Sequence, residues 1–437
     1  MIKNTRNQLN SQFANLPYWI AGLLTGLLAT AFAVIFKRLA SVSLGLFQTH
    51  FWIWAGLVPI GFFASWYSVK IFSPEASGSG IPQVMAAIHK GDEHSVGWYP
   101  RLLSLKVVLV KIGSSLACVV VGGAVGREGP TIQIGASIFN LIFPYVSKGE
   151  GVESKKRKAL ILAGGAAGIA AAFNTPLGGI VFAIEELATD TFRQFRTTVL
   201  LAVIVAGMTA QWFTGTYLYL GHPAVVDMNF KFLALSLVAA VIAGALGGFF
   251  GKTLFKLIQL RKAVTQMKGH LAWIAGLSIL FVTLAYFSHG LALGPGTEGI
   301  TTILETHSGS SGFDVFTRYC ANQISYLVGG AGGIFSPALS IGANIGSFLG
   351  SVFLNSGPGS NLLVIVGMVS FLTGVTHAPF TSLVLVLEMM DQPILTVPVM
   401  LGALIAHGTA RMVDDESFYE HMTEMYNPTT ETQNQTL

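Results

Sequence analysis

The stretch VVVGGAVGREGPTIQIGASI, residues 119–138, sets an arginine and a glutamate among small and apolar residues. Arg127 and Glu128 are boxed by Gly126, Gly129 and Pro130. Burying such charges is costly unless they are paired or used. Pro130 suits the first turn of a helix, because it lacks an N–H that would be unpaired there. The stretch therefore reads as a glycine-rich turn opening a helix. Its carboxylate stands just before the helix start, where the helix dipole favours negative charge.

Apolar surroundings extend along the whole chain. Of 437 residues, 52% are hydrophobic and 11% charged, against about 25% charged in ordinary soluble domains. A mean hydropathy of +0.62 is too high for a single soluble core. The runs WIAGLLTGLLATAFAVIF (19–36), FLALSLVAAVIAGALGGFF (232–250) and LAWIAGLSILFVTLAYF (271–287) approach the roughly 20 residues that cross a bilayer as a helix. Others, at 131–146, 337–354 and 379–390, are shorter or broken by glycine and proline. The class is an all-α polytopic membrane protein whose surroundings are the lipid bilayer.

The net charge of +4 is modest and spread along the chain, so no nucleic-acid partner is implied. It also leaves orientation open, since Lys3 and Arg6 precede the first span while Lys37 and Arg38 flank its other end. KKRK at 155–158 is expected to be a solvated or headgroup-facing loop. The start, MIKNTRNQLNSQFANLP, is polar for too long to be a cleavable signal peptide. The end, NPTTETQNQTL, reads as disordered, with no room for an appended soluble domain. The expected organisation is a polar segment over 1–16, a transport domain over 17–426 and a tail over 427–437. Cys118 and Cys320 lie in apolar segments and imply no disulfide framework. Histidines such as His289 and His407 have no metal-ligand spacing, and no metal or cofactor is implied.

The transport domain contains a repeat, roughly 17–215 and 230–426. GPTIQIGASI (129–138) pairs with SPALSIGANI (336–345), and NTPLGGIVFAIEEL (174–187) pairs with HAPFTSLVLVLEMM (377–390). The offsets are 207 residues (Pro130 to Pro337) and 203 residues (Pro176 to Pro379). Half-length repeats with interrupted apolar segments point to a transporter whose site lies between the halves, near the membrane midplane.

Four turns end in a proline fit to open a helix: GSGIP (78–82), GREGP (126–130), NTP (174–176) and GGIFSP (332–337). In lipid, non-helical backbone is tolerated only where it is buried in protein or lines a cavity. Helix starts present N–H groups and the positive end of a dipole, which together bind anions. A fifth start is written in DDESFYEHMTEM (414–425), where Ser417 and Glu420 have the spacing of a capping box. That places Phe418 and Tyr419 in the first turn of a short helix. The Tyr419 hydroxyl is then either a neutral donor to an anion or, taken alone, an interfacial aromatic.

GSGIP, GREGP, GGIFSP, AAFNTPLGGIVFAIEE and the late Tyr419 together resemble the CLC family of chloride channels and chloride/proton antiporters. The likeness runs from about residue 60 to 422, with the motifs in the family's order. It implies an inverted-repeat fold with many tilted and broken helices. It also implies a homodimer with one pore per subunit, and chloride ions and protons as partners. By this resemblance Glu128 is the gating glutamate and outer proton carrier, able to take the anion's place and to swing out when protonated. Ser79, Tyr419 and the backbone N–H groups of Ile334 and Phe335 are the expected anion ligands. Gly80, Arg127, Gly129 and Gly333 support the loops, and Lys111 raises the potential along the anion path. The family's nitrate-preferring members tend to carry proline at the place of Ser79, and its fluoride exporters depart from that serine and from GREGP. Both are kept here, which favours chloride.

Whether such a chain is an antiporter or a channel turns on FAIEEL (182–187). By resemblance Glu186 falls on the inner proton-transfer glutamate, where many family channels have valine. Glu185 has Glu388 as its repeat mate and reads as a packing or capping acid, whereas Glu186 faces Met389. Well-known antiporter relatives carry acids just after GSGIP; here Gln83 and Met85 follow, which would slow or loosen coupling. The expectation is a secondary active chloride/proton antiporter, with a passive chloride channel of the same fold as the alternative. An intramembrane enzyme using Glu128, Glu185 and Glu186 lacks a nucleophile or metal triad, and GREGP lacks the Lys-Ser/Thr ending of a phosphate loop. The small form of the chain resembles prokaryotic members, so a multi-pass protein of a bacterial inner membrane is expected.

Overall fold

A computed structural model describes residues 16–91, 97–146, 153–187, 189–215, 218–225, 230–354, 358–390 and 392–426. The expected amino-terminal polar segment, but for Leu16, and the expected tail lie outside these residues. The first half runs α1 (Leu16–Thr49), α2 (Phe51–Phe72), α3 (Ile81–His89), α4 (Trp98–Leu102), α5 (Leu105–Val119), α6 (Glu128–Leu141) and α7 (Phe143–Val146). It continues with α8 (Glu153–Phe173), α9 (Pro176–Phe182) and α10 (Thr189–Thr214). The second half runs α11 (Phe230–Lys262), α12 (Met267–Phe287), α13 (Thr297–Thr306), α14 (Gly312–Leu327) and α15 (Phe335–Leu354). It closes with α16 (Asn361–Thr376), α17 (Pro379–Met390), α18 (Thr396–Val413) and α19 (Phe418–Glu424).

Among the described residues, eight helices are long and apolar enough to cross a membrane. The first is far longer than the run that announced it. With 34 residues, α1 extends for about 51 Å, well beyond the roughly 30 Å of bilayer hydrocarbon. It must therefore tilt or project.

Small residues set how the helices cross. The Cα of Gly135 in α6 lies against the backbone of Gly164 in α8, with no room for a Cβ. Gly342 in α15 meets Gly367 in α16 in the same way, at offsets of 207 and 203 residues from the first pair. Such close backbone approach replaces the hydrophobic drive that lipid cannot supply.

The repeat also explains Glu185 and Glu388. Glu185 accepts the backbone N–H groups of Phe380 (3.1 Å) and Thr381 (2.6 Å) at the start of α17. Glu388 accepts those of Leu177 (3.1 Å) and Gly178 (2.8 Å) at the start of α9. Each half therefore caps the other's broken helix with a carboxylate, which the dipole of the helix start favours.

One expectation is corrected. KKRK is not a loop but belongs to the first turns of α8. Arg157 lies 4.1 Å from the ring centroid of Tyr99 and donates to Asn140 Oδ1 at 2.8 Å. Only Lys155 of the four is fully exposed. Long cationic side chains can pack their stems and planes while keeping polar contacts, so a charge run does not by itself mark a loop.

Candidate functional site

The GSG, GREG and AGGIF turns are stitched together by backbone hydrogen bonds. Gly78 N donates to Gly330 O (2.8 Å), and Gly332 N donates to Gly78 O (3.0 Å). Gly126 and Gly333 exchange both of their N–H groups at 2.7 Å. These bridges place the starts of α3, α6 and α15 side by side. Gly78 and Gly80 hold φ of +64° and +100°, a left-handed region that glycine alone enters at little cost. Contact is so close that a Cβ on Gly129 would overlap the Ser79 side chain.

Ser79 is 1% exposed and Tyr419 is fully buried, which rules out an interfacial position for that tyrosine. Ser417 and Glu420 do form a capping box, at 3.1 Å and 2.7 Å, and it fixes Phe418 and Tyr419 in the first turn of α19. The Tyr419 and Ser79 hydroxyls lie beside each other, and neither has an aligned hydrogen-bond partner among the described residues. Ser79 N donates instead to the hydroxyl of Tyr326, at 3.2 Å. The Tyr419 ring stacks on Phe335 at 6.2 Å, and Phe173 and Phe182 close on the same phenylalanine. Ile334 and Phe335 are buried where α15 begins. A small constriction results, with two hydroxyls and three helix starts; among the described residues no cation hydrogen-bonds to either hydroxyl.

Glu128 is the first residue of α6 rather than the residue before it. Its carboxylate is 1% exposed, and Ser336 Oγ donates to Oε1 at 2.6 Å, with the Tyr219 hydroxyl 3.3 Å away. Oε2 has no partner among the described residues. Arg127 does not pair with it: Arg127 Nη1 donates to Ala33 O (3.0 Å) and the guanidinium faces the Tyr219 ring.

Glu186 lies in a π-helical turn, Ala183–Leu187, that continues α9. Such turns reposition side chains and recur at functional sites. Its Oε1 is buried without a partner among the described residues. Both Glu128 and Glu186 lie within electrostatic reach of the Tyr419 hydroxyl, beside which the Ser79 hydroxyl lies.

One cavity reaches Glu128 and another reaches Ser79. The first, of about 900 Å³, is lined by Arg127, Glu128, Tyr219 and the α1 residues from Ala33 onward. The other, of about 300 Å³, reaches Ser79 past Lys70, Arg101, Arg261 and Lys262; Glu75, its one carboxylate among the described residues, is ion-paired with Arg101 at 2.6 Å. Cationic walls of low dielectric concentrate anions. No single stretch of sequence signals that second mouth, because its cations come from three separate elements.

Lys111 is fully buried in α5 and donates to Gly78 O (3.0 Å) and Ser77 O (3.4 Å), directly beneath Ser79. Its repeat mate at the same 207-residue offset is Arg318 in α14. Arg318 is buried too, donating to Leu291 O, Leu293 O, Gly294 O and Ser340 Oγ at 2.9–3.2 Å. Tyr219, Tyr326 and Arg318 escaped the sequence reading, and Ser336 entered it only as part of GGIFSP. Of the three, Arg318 left a signal in its register with Lys111.

A sequence model described as voltage gated chloride channel matches residues 60–411. Similar folds are found in a slow cyanobacterial Cl⁻/H⁺ antiporter (TM-score 0.79, 23% identity, covering 94% of this chain and 97% of that one) and in a CLC-type fluoride/proton antiporter (0.77, 22%, 95% and 98%). A eukaryotic CLC transporter matches with TM-score 0.74 and 21% identity, over 94% of this chain and 74% of that one.

Proposed function

We propose that this chain, which belongs to the voltage gated chloride channel family, is a secondary active transporter exchanging chloride for protons. The observation that carries the proposal is the buried carboxylate of Glu128 and the half-buried one of Glu186, whose Oε1 is enclosed, both within electrostatic reach of Tyr419 and the neighbouring Ser79 hydroxyl. Ser79, Tyr419 and the N–H groups of Ile334 and Phe335 bind the anion with neutral donors, so that it can also leave. Glu128 competes with the anion for the helix starts and carries a proton when it gives way. Glu186 exchanges that proton with the opposite side. Gly80, Gly129 and Gly333 allow the turns to close, Arg127 anchors its loop on α1, and Lys111 supplies positive potential. Intramembrane acids without a fixed cationic partner suit proton relays.

Support for antiport comes also from the folds of the chloride/proton and fluoride/proton antiporters, which the chain matches over nearly its whole length. Retention of Ser79 and GREGP favours chloride over fluoride. The working unit is a homodimer with one pore per subunit, in a bacterial inner membrane. The family match favours a role in transport and not an enzymatic one. One observation favours a passive channel instead. Gln83 Nε2 is committed to Glu75 O and Ser77 O, and Met85 packs on Thr423, so neither offers a titratable group beside the inner route.

The test is purified protein in liposomes, with a chloride gradient at equal pH. Protons driven uphill by chloride are expected, and Glu186→Gln should keep chloride flux while losing proton movement. Chloride flux without protons in the native protein would leave the channel reading.

A further inference from the structure

Tyr219 belongs to the connection between α10 and α11, far in sequence from every motif of the site. Its hydroxyl lies 3.3 Å from Glu128 Oε1 and 3.2 Å from Ser336 Oγ, while Ser336 donates to the same carboxylate oxygen at 2.6 Å. The ring is held on two sides. Phe173 meets it edge-on at 5.2 Å, and the Arg127 guanidinium lies 5.7 Å from its centroid. The backbone is pinned as well. Leu220 N donates to Met389 O (3.1 Å), and Gln392 Nε2 and Asn361 Nδ2 donate to Pro223 O and Ala224 O.

We propose that Tyr219 and Ser336 form a hydroxyl clasp on the Glu128 carboxylate, and that Tyr219 is a positioning residue setting how strongly an anion must compete with it. A hydroxyl carries one donor and two acceptor lone pairs. The clasp can therefore donate to an ionised Glu128 and accept from a protonated one. An arginine in the same place would only donate, and would hold the carboxylate ionised. Arg127, the residue before Glu128, donates to Ala33 O. A Tyr219 proton given to Glu128 holds the carboxylate directly, and one given to Ser336 strengthens the bond that Ser336 makes to it. The clasp rests on the exchange reading only in that Glu128 and chloride contend for one place.

The experiment is calorimetric titration of chloride-free protein in detergent with chloride. Tyr219→Phe and Ser336→Ala are each measured in the native background and with Glu128→Ala. Each substitution should tighten chloride binding by about 3- to 10-fold in the native background, and change nothing once the carboxylate is gone. A merely structural role would shift binding equally in both backgrounds, and that result would overturn the clasp. So would weaker or unchanged binding by Tyr219→Phe in the native background. Native protein that binds chloride but moves no protons in liposomes would sink antiport and leave the clasp standing. Native protein that binds no chloride would overturn both.

Discussion

Replacing Gly126 or Gly129 by alanine adds one methyl group on either side of Glu128, and the two should act in opposite directions. A Cβ on Gly126 would overlap Glu128 Oε2 and come within 3.3 Å of Pro337 Cδ. The carboxylate is the free end of a flexible side chain, so it yields, giving up its hydrogen bonds to Ser336 and Tyr219. Bonds to a charged group are worth about 1.5–3 kcal/mol each. With one of them long and both shared, a net loss of about 1–2 kcal/mol is reasonable. Since about 1.4 kcal/mol is tenfold, chloride binding should tighten by about 5- to 30-fold. A Cβ on Gly129 instead overlaps the Ser79 side chain and lies 2.8 Å from Ser79 O. That backbone is tied down through Gly78 and Lys111 and cannot simply turn away. Overpacking of this kind costs about 1–3 kcal/mol, and it falls on the proposed anion ligand, so chloride binding should weaken by about 5- to 150-fold. Neither glycine has a positive φ, so alanine is otherwise tolerated. Calorimetric titration with chloride, beside a thermal melt to check folding, reads both variants. Shifts of the same sign, or weaker binding by Gly126→Ala, would refute the competition between Glu128 and chloride.

The repeat supplies a contrasting pair. Lys111→Met should fold, because Gly78 O keeps its bond from Gly332 N and Ser77 O its bond from Gln83; chloride affinity should drop roughly tenfold through loss of the buried charge. Arg318→Met strands the carbonyls of Leu291, Leu293 and Gly294. It should cost about 3 kcal/mol or more, seen as loss of a monodisperse peak on size-exclusion chromatography; normal yield would contradict the structural role. Glu388→Ala removes two half-buried caps from α9 and should lower stability in a thermal melt by about 1–2 kcal/mol. It should leave proton coupling intact, unlike Glu186→Gln; lost coupling would mean that Glu388 takes part in proton movement.

The sequence by itself determined the local chemistry of this protein. Apolar runs required helices in lipid, and prolines after glycine-rich turns marked where helices begin. Ser417 and Glu420 wrote a capping box that the structure contains, and the paired offsets marked two halves of one plan. These features are legible because each depends on residues a few positions apart or on a repeated register. The fold alone decided which turns meet. Nothing in GSGIP or GGIFSP says that Gly78 will pair with Gly330 and Gly332, or Gly126 with Gly333; those are contacts over some 200 residues, set by how the halves pack. The same holds for Tyr219, an unremarked tyrosine in a connection, and for the cations of the smaller cavity. It holds too for the π-helical turn that carries Glu186. The different surroundings of Lys111 and Arg318 are the clearest case. One register gave both their charge, but only the surrounding carbonyls, satisfied elsewhere in one half and dependent on the guanidinium in the other, determine what each charge does.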